Sequence, residues 1–179
     1  MDYLEYCRGE HNADSLQTLH KQLEKLPTLL KELEIHARMD RHGFVKGLAK
    51  NDTPNCDVAF EVSVEDSCLT LLFTSKIYRR VPIEKEGELV ALLNELNCGL
   101  FGGAFFFSCD DQSVAYRSSL FANGELSSKN ILYFVADSVA CTADFGSLIN
   151  DFLRGKISFD ECIDLLNGFD DDLSPLDFN

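Results

Sequence analysis

Leucines recur every three or four residues near the start of the chain, a spacing that predicts a long amphipathic helix. The six members of this series are Leu16, Leu19, Leu23, Leu26, Leu30 and Leu33. Asp14 followed by Gln17 resembles a capping box at the start of the helix. Pro27 interrupts the series, and a proline in a helix interior costs roughly 3 kcal/mol unless the helix bends or restarts. The pattern predicts one kinked helix or two, packed on its own domain because the flanking positions lack the charges of a coiled coil.

From residue 57 apolar residues occupy every second position, which predicts β-strands with one buried face. The apolar positions of the first strand are Val58, Phe60, Val62 and Val64. Two further strands, over residues 69–73 and 77–81, complete an antiparallel meander that ends before Pro82. Residues 41–55 are rich in glycine, asparagine and aspartate, so we expect a loop there with one short strand over residues 44–48.

A second helix and a hairpin follow. Three glutamates lie at the start of the helix, where the positive end of the helix dipole stabilises negative charge. The apolar side of the helix is formed by Leu89, Leu92, Leu93 and Leu96. Gly99 is suited to end this helix in the left-handed conformation. Two apolar strands over residues 105–108 and 114–118 are joined by an acidic turn at Asp110 and Asp111, which predicts a β-hairpin.

The helix after this hairpin is apolar around most of its circumference. Ser127 or Ser128 is the predicted N-cap, and the apolar pattern continues through Cys141. Asp137 stands nearly alone on its polar side. Such a helix requires cover on more than one side, either from the terminal helices or from another polypeptide.

The C-terminal part holds an apolar segment over residues 148–153 and a short helix that starts at the capping box Ser158-x-x-Glu161 and ends at Gly168. The patterns together predict an α+β fold, an antiparallel sheet of about five strands with flanking helices in the order α-βββ-α-ββ-α. We divide the chain into an N-terminal helical segment and loop, an α+β core, C-terminal helices and an acidic tail, at residues 1–50, 51–145, 146–168 and 169–179.

Composition narrows the function. The 179 residues carry a formal net charge of −14, which disfavours binding to nucleic acid and to anionic membranes. The seven cysteines show no C-x-x-C spacing and lie mostly in apolar segments, as in a reduced cytosolic protein. The first residues lack the basic region of a signal peptide, and the most apolar window, over residues 89–107, contains a glutamate and two asparagines. We expect a cytoplasmic protein that binds neither nucleic acid nor membrane.

The residues that could take part in catalysis or bind a metal ion or phosphate do not form a recognisable active site. The four histidines lack metal-ligand spacing, the glycines at 99, 102 and 103 are not followed by a lysine, and the aspartates lack the spacing of a calcium loop. Cys109 stands beside two carboxylates and has no base near it in the sequence. No catalytic residue, cofactor or metal ligand is therefore assigned.

Two alternatives remain open. The first is an enzyme that uses a buried carboxylate, with Asp137 as the candidate because its neighbours are apolar. The second is a structural domain that binds a small ligand. The main hypothesis is instead a binding surface for a partner polypeptide, for which the candidates are Phe105, Phe107, Tyr133 and Phe134.

The order of elements, together with a few residues, resembles the YbjN family of putative bacterial sensory transduction regulators. The resemblance covers about residues 56–142 and is carried by Asn94 and Asn97 near a helix end, by the strand 105–107, and by Tyr116-Arg117. It implies a fold shared with the type III secretion chaperones, which form dimers and hold a segment of a client protein against apolar grooves. It supplies no catalytic residues. We therefore expect a non-enzymatic, chaperone-like or regulatory adaptor that binds a protein partner or client peptide, with a homodimer as a further implication.

Overall fold

The computed structural model describes residues 13–50, 57–65, 69–100, 102–121 and 126–171. Within these residues four helices and six strands follow one another in the order α-ββββ-α-ββ-α-α, with short 3₁₀ turns at Lys31–Leu33 and Ile83–Lys85. The elements are α1 (Ala13–Leu30), β1 (His36–Met39), β2 (Val45–Ala49), β3 (Val58–Glu65), β4 (Thr70–Arg79), α2 (Glu86–Cys98), β5 (Gly103–Ser108), β6 (Ser113–Phe121), α3 (Ser128–Leu153) and α4 (Phe159–Asp171). The α+β class is confirmed, with six strands in the sheet.

The strands form one antiparallel sheet in the order β1-β2-β3-β4-β6-β5. Val62 pairs in register with Val45 on one side and Phe73 on the other, so these three buried residues share a face. All four helices add buried side chains to the same core, which includes Leu23, Leu92, Ile149 and Cys162. The fold therefore has two layers, a helical layer and a sheet.

The opposite face of the sheet is largely polar. Lys46 and Glu61 are register partners there, with 3.4 Å between Nζ and a carboxylate oxygen. In the same row Arg117 is exposed, and its guanidinium lies 5.0 Å from the centroid of the Phe106 ring. This alternation between an apolar and a polar face is what the spacing of residues in the sequence predicted for β3.

Two strand predictions need correction. The first is β1, which the sequence pattern did not predict because its four residues, HARM, include none of the strand-favouring residues Val, Ile, Thr, Phe, Tyr or Trp. The second concerns β4, where the strands predicted at residues 69–73 and 77–81 are one continuous strand. The register shifts between Lys76 and Tyr78, so the alternation changes phase within the strand and looks in the sequence like a break.

Helix α1 runs from Ala13 to Leu30 without a break, with Pro27 in its last turn. Leucines at 19, 23, 26 and 30 are at most 3% exposed, which confirms the predicted apolar side. The helix already includes Ala13, so Asp14 is not the residue that precedes it. Leu33, the last leucine of the series, is 45% exposed in the following 3₁₀ turn.

Helix α2 ends at Cys98, but Gly99 has a φ of −92° and is not left-handed, contrary to the prediction. The last turn of the helix carries Asn97, whose side-chain amide bonds to the backbone of β5. Its Nδ2 donates to the Phe105 carbonyl oxygen, and its Oδ1 accepts from the Phe105 N–H, both at 2.8 Å. Because β5 is the outermost strand on this side, Asn97 occupies backbone groups that point away from β6.

Helix α3 unites the helix predicted to end near Cys141 with the apolar segment 148–153. The predicted N-cap is confirmed, since Ser127 Oγ accepts a hydrogen bond from the Asn130 N–H at 3.2 Å. By length and apolar composition α3 could span a membrane. In the fold it packs on β3, β4 and β6 and against the other three helices, and core helices of soluble proteins have the same composition.

Helix α4 begins with the predicted capping box. Ser158 N–H and Oγ donate to Glu161 Oε2 at 2.7 and 2.8 Å, while Glu161 N–H donates to Ser158 Oγ. These hydrogen bonds lower the pKa of the Glu161 carboxyl. Gly168 does not end the helix, which continues to Asp171.

No element boundary falls at residue 145 because α3 passes through it, and β2 pairs with β3 across the boundary at residue 50. The acidic tail from residue 172 onward lies outside the described residues.

Candidate functional site

The N-terminal half of α3 borders an open, mainly apolar groove of about 830 Å³. One wall is the flank of the helix that carries Tyr133, Phe134 and Asp137. The facing wall comes from Ser119 and Leu120 near the end of β6. Within the part of the chain that the structure describes, nothing covers this groove, and Tyr133 is 60% exposed. We call these five residues and the space between them the α3 groove.

The helical spacing explains why this flank is left open. Ile131 and Val135, four residues apart, are buried and face the core. Tyr133 lies halfway between them in sequence, and two helical residues correspond to about 200° of rotation, so it points away from the sheet. Asp137 lies at i+4 from Tyr133 and so shares its exposed side, while Phe134, turned about 100° from Tyr133 and partly buried, lies at i−3 from Asp137.

Small polar residues form the contact between α3 and the sheet beside the groove. The Oγ atoms of Ser118 on β6 and Ser138 on α3 are 2.6 Å apart. Ser138 also donates to the Phe134 carbonyl oxygen at 2.8 Å, which leaves Ser118 as the donor in their mutual bond. Thr142 Oγ1 donates in the same way to the Ser138 carbonyl at 2.7 Å. These hydrogen bonds provide the buried hydroxyl groups with the partners that buried polar groups require.

A thiol and a phenol lie close to the groove, but neither is activated. Burial raises the pKa of the half-buried Cys141 thiol, and the nearby Asp137 and Asp144 carboxylates raise it further, while a hydrogen bond from Tyr116 lowers it. Burial is also the main reason that the pKa of Tyr116 is raised. Both groups therefore stay protonated near neutral pH, and Cys141 lacks the thiolate that a nucleophile requires.

The four predicted partner-binding residues are divided between the surface and the core. Tyr133 and Phe134 line the α3 groove. Phe105 is 2% exposed, with its ring centroid 4.8 Å from that of Tyr116, so it belongs to the core. Phe107 is half-buried on the helix-facing side of the sheet, where it pairs with Val114. A direct contact of any of the four with a partner stays a prediction.

The enzyme alternative lacks the buried acid on which it was based. Asp137 is exposed at the edge of the α3 groove, so the desolvation expected from its apolar sequence neighbours is not present. Those neighbours turn toward the core, whereas the carboxylate turns toward solvent.

Two further aspartates, Asp111 and Asp40, have structural partners. Asp111 lies in the β5–β6 turn, as predicted, where the Lys76 ammonium at 2.7 Å and hydrogen bonds from serine hydroxyls hold the pKa of its carboxyl well below the usual range. Asp40, in the turn between β1 and β2, accepts from two backbone N–H groups and pairs with Lys46, which together lower its pKa from 3.8 to about 2. Among the described residues no three His, Cys, Asp or Glu side chains lie together in a way that could hold a metal ion.

Residues 23–148 match the family model of YbjN, described as a putative bacterial sensory transduction regulator, so the chain belongs to the YbjN family. The fold is also that of the crystal structure of YbjN, a putative transcription regulator from E. coli. The two chains are 17% identical with a TM-score of 0.54, over 74% of this chain and 93% of that one. The family prediction from the sequence is confirmed.

A second solved structure that matches the chain is that of the HopA1-SchA chaperone-effector complex. It matches at a TM-score of 0.44 and 17% identity, over 78% of this chain and 94% of that one. No curated protein matches the chain. At these identities the likeness concerns the fold, and the function has to be argued from the site.

The sequence indicated the aromatic wall of the α3 groove but not its other components. Leu120 and Ser119 were not predicted because they follow the mainly buried part of β6, and their position opposite α3 depends on packing between distant parts of the chain. Asp137 was predicted as a buried acid, whereas it is exposed at the edge of the groove. The signal that could have found the site is the repeat of exposed positions at 130, 133, 137 and 140 along α3, which share one face of a helix.

Proposed function

We propose that this protein is a non-enzymatic adaptor, chaperone-like or regulatory, that binds a partner polypeptide in the α3 groove. The observation that carries the proposal is the apolar groove beside Tyr133, which the helices and sheet of its own fold leave uncovered. Aromatic side chains on a firmly packed helix supply contact area at small entropic cost, because the helix does not need to be ordered on binding.

The family assignment supports this proposal because the family is described as a regulator and not by a reaction. The chemistry of the groove supports it as well. The thiol of Cys141 and the phenol of Tyr116, which lie near the groove, both stay protonated, and this suits the surroundings of a binding site better than those of a reaction centre.

We propose in addition that the protein acts in the cytoplasm and that its partner is neither a nucleic acid nor a membrane. The net charge of −14 supports this because phosphate groups and anionic lipids would be repelled. The free thiols at Cys98, Cys109, Cys141 and Cys162 fit a reducing compartment.

Site-specific photo-crosslinking tests the proposal. The photoreactive residue p-benzoylphenylalanine replaces Tyr133 in the full chain produced in its native host, and adducts are identified by mass spectrometry. The matched control places the same residue at Ile83, which is 81% exposed and lies before α2. We expect a discrete adduct with another protein at position 133 that is missing at position 83. The same adducts at both positions would contradict the proposal, whereas an adduct with a second copy at position 133 alone would identify a homodimer interface.

A further inference from the structure

We infer that the α3 groove takes a basic amphipathic segment, one in which lysine or arginine follows an apolar side chain. This inference rests on the proposed function and names the chemistry of the partner. It is supported by the unpaired carboxylates along α3, by the position of the apolar wall relative to them, and by the negative charge of the other candidate occupants, which are the terminal segments of this chain and a second copy.

Asp137 and Asp144 are seven residues apart, so they lie on the same side of α3 about 10 Å from each other along the helix axis. Both are exposed, and neither has a basic group within 4 Å among the described residues. Asp151, one heptad further, bonds to Lys156 Nζ at 2.6 Å. Asp40 and Asp111 have lysine partners at 2.9 and 2.7 Å in the same way. The carboxylates of Asp137, which lines the groove, and of Asp144, two helical turns further along α3, are therefore free of ion pairs within the described residues and available to a basic ligand.

The apolar wall and the carboxylates follow one another along the helix. Tyr133 and Phe134 come first, and Asp137 follows one helical turn, about 5–6 Å, further on. At the beginning of α3 the Lys129 Nζ lies 5.3 Å from the centroid of the Tyr133 ring, so that end of the groove already holds a cation. A partner thus places its apolar side chain against Tyr133 and its basic side chain toward Asp137 and Asp144, away from Lys129.

The two terminal segments outside the described residues have the wrong charge for the groove. Residues 172–179, with sequence DLSPLDFN, contain two aspartates and no basic side chain, and residues 1–12 contain three acidic side chains and one arginine. A second copy is disfavoured because each copy carries a net charge of −14. A twofold contact centred on the groove would also bring the two Asp137 carboxylates toward each other. A partner with basic side chains meets neither obstacle.

Two synthetic peptides of sixteen residues test the inference. They share one pattern of leucines at helical spacing, and the remaining positions are lysine-rich in one peptide and glutamate-rich in the other. Binding of each fluorescein-labelled peptide to the full chain is measured by fluorescence anisotropy at low and high salt. We expect the lysine peptide to bind at least tenfold more tightly than the glutamate peptide, with the difference shrinking as salt rises.

Variants tie the binding to the groove. The double variant Asp137→Asn/Asp144→Asn should weaken binding of the lysine peptide about fivefold, as two partly exposed ion pairs would. Tyr133→Ser should weaken it about tenfold or more. The matched control Asp57→Asn/Asp164→Asn removes two exposed aspartates of other elements and should change the affinity less than twofold.

Equal binding of the two peptides, no binding of either, or an equal effect of both double aspartate variants would overturn the inference. Sedimentation velocity on the free protein provides a further check. A dimer that Tyr133→Ser dissociates would show that the groove is occupied by a second copy, which also overturns it. The proposed function is decided separately by the crosslinked adduct at position 133, which can identify a partner whose segment is acidic or uncharged.

Discussion

The two halves of helix α3 have similar apolar character but very different surroundings. In the C-terminal half, Ile149 and Phe152 are completely buried, and Lys85 lies 4.4 Å above the Phe152 ring. In the N-terminal half, α1 covers only one side, where Gln22 donates to the Leu126 carbonyl and accepts from Ser128. The opposite side carries Tyr133 and stays open. The difference shows that the placement of neighbouring elements, and not hydrophobicity along the helix, decides which apolar residues are available to a partner.

The largest effect should come from the covered half. Phe152→Ala removes a fully buried ring that fills the space between α3 and the segment before α2, and we expect a loss of about 3–5 kcal/mol in the free energy of unfolding. Urea denaturation followed by circular dichroism measures this loss. A loss below about 1 kcal/mol would mean that the C-terminal half is no better packed than the open half.

Ser138, where the two halves meet, should give the next largest effect. Ser138→Ala leaves the buried Ser118 hydroxyl without its acceptor, and we expect a cost of about 1–3 kcal/mol by the same measurement. The companion variant Ser118→Ala/Ser138→Ala removes both hydroxyls and should cost no more than the single change. A double variant clearly less stable than Ser138→Ala would indicate that the hydroxyl pair does not act as a unit.

A stabilising change is expected at Gly146. Alanine is favoured over glycine inside a helix by roughly 0.8–1 kcal/mol, and a methyl group at this position would lie 3.6 Å from side-chain carbons of Ile77, an ordinary contact. Gly146→Ala should therefore raise the free energy of unfolding by about 0.5–1 kcal/mol. Thermal unfolding, compared with the wild-type chain, checks the sign. A lower melting temperature would mean that α3 and β4 are packed too closely to admit a methyl group.

The smallest effect on stability should come from the open half. Because Tyr133 is 60% exposed, Tyr133→Ala should change the free energy of unfolding by less than about 0.5 kcal/mol. Urea denaturation of this variant beside Phe152→Ala gives the direct contrast between the two halves. A loss as large as that of Phe152→Ala would show that Tyr133 supports the fold, and the change could then not be used to test binding.

Much of the fold follows from the sequence where one physical rule dominates. The period-two pattern of Val58 to Val64 gives β3, and Ser158 with Glu161 gives the start of α4 as observed. The length of α3 was underestimated because its buried side carries Ser138, Thr142 and Gly146. Small and polar residues there allow close approach to the sheet, but in a sequence they resemble the end of an apolar helix.

The candidate site was less accessible to sequence reasoning than the fold. An excess of apolar surface on α3 could be predicted, and it includes Tyr133 and Phe134. The phenylalanines that face outward could not be identified in this way. Phe105 packs against Tyr116 of the neighbouring strand and against Phe145, forty residues further along the chain. Long-range packing of this kind leaves no local periodic signal.

The amide of Asn97 has a consequence for how partners can approach. Its side chain bonds to the backbone groups of Phe105 as a neighbouring strand would, so an incoming strand cannot pair with β5 at this residue. Association of two sheets along this edge is therefore disfavoured. A strand arriving at β5 finds the backbone groups of Phe105 already bonded, so it cannot continue the ladder of backbone hydrogen bonds through that residue. Contacts at this part of the sheet edge are thereby directed to side chains, which distinguish between sequences better than backbone groups do.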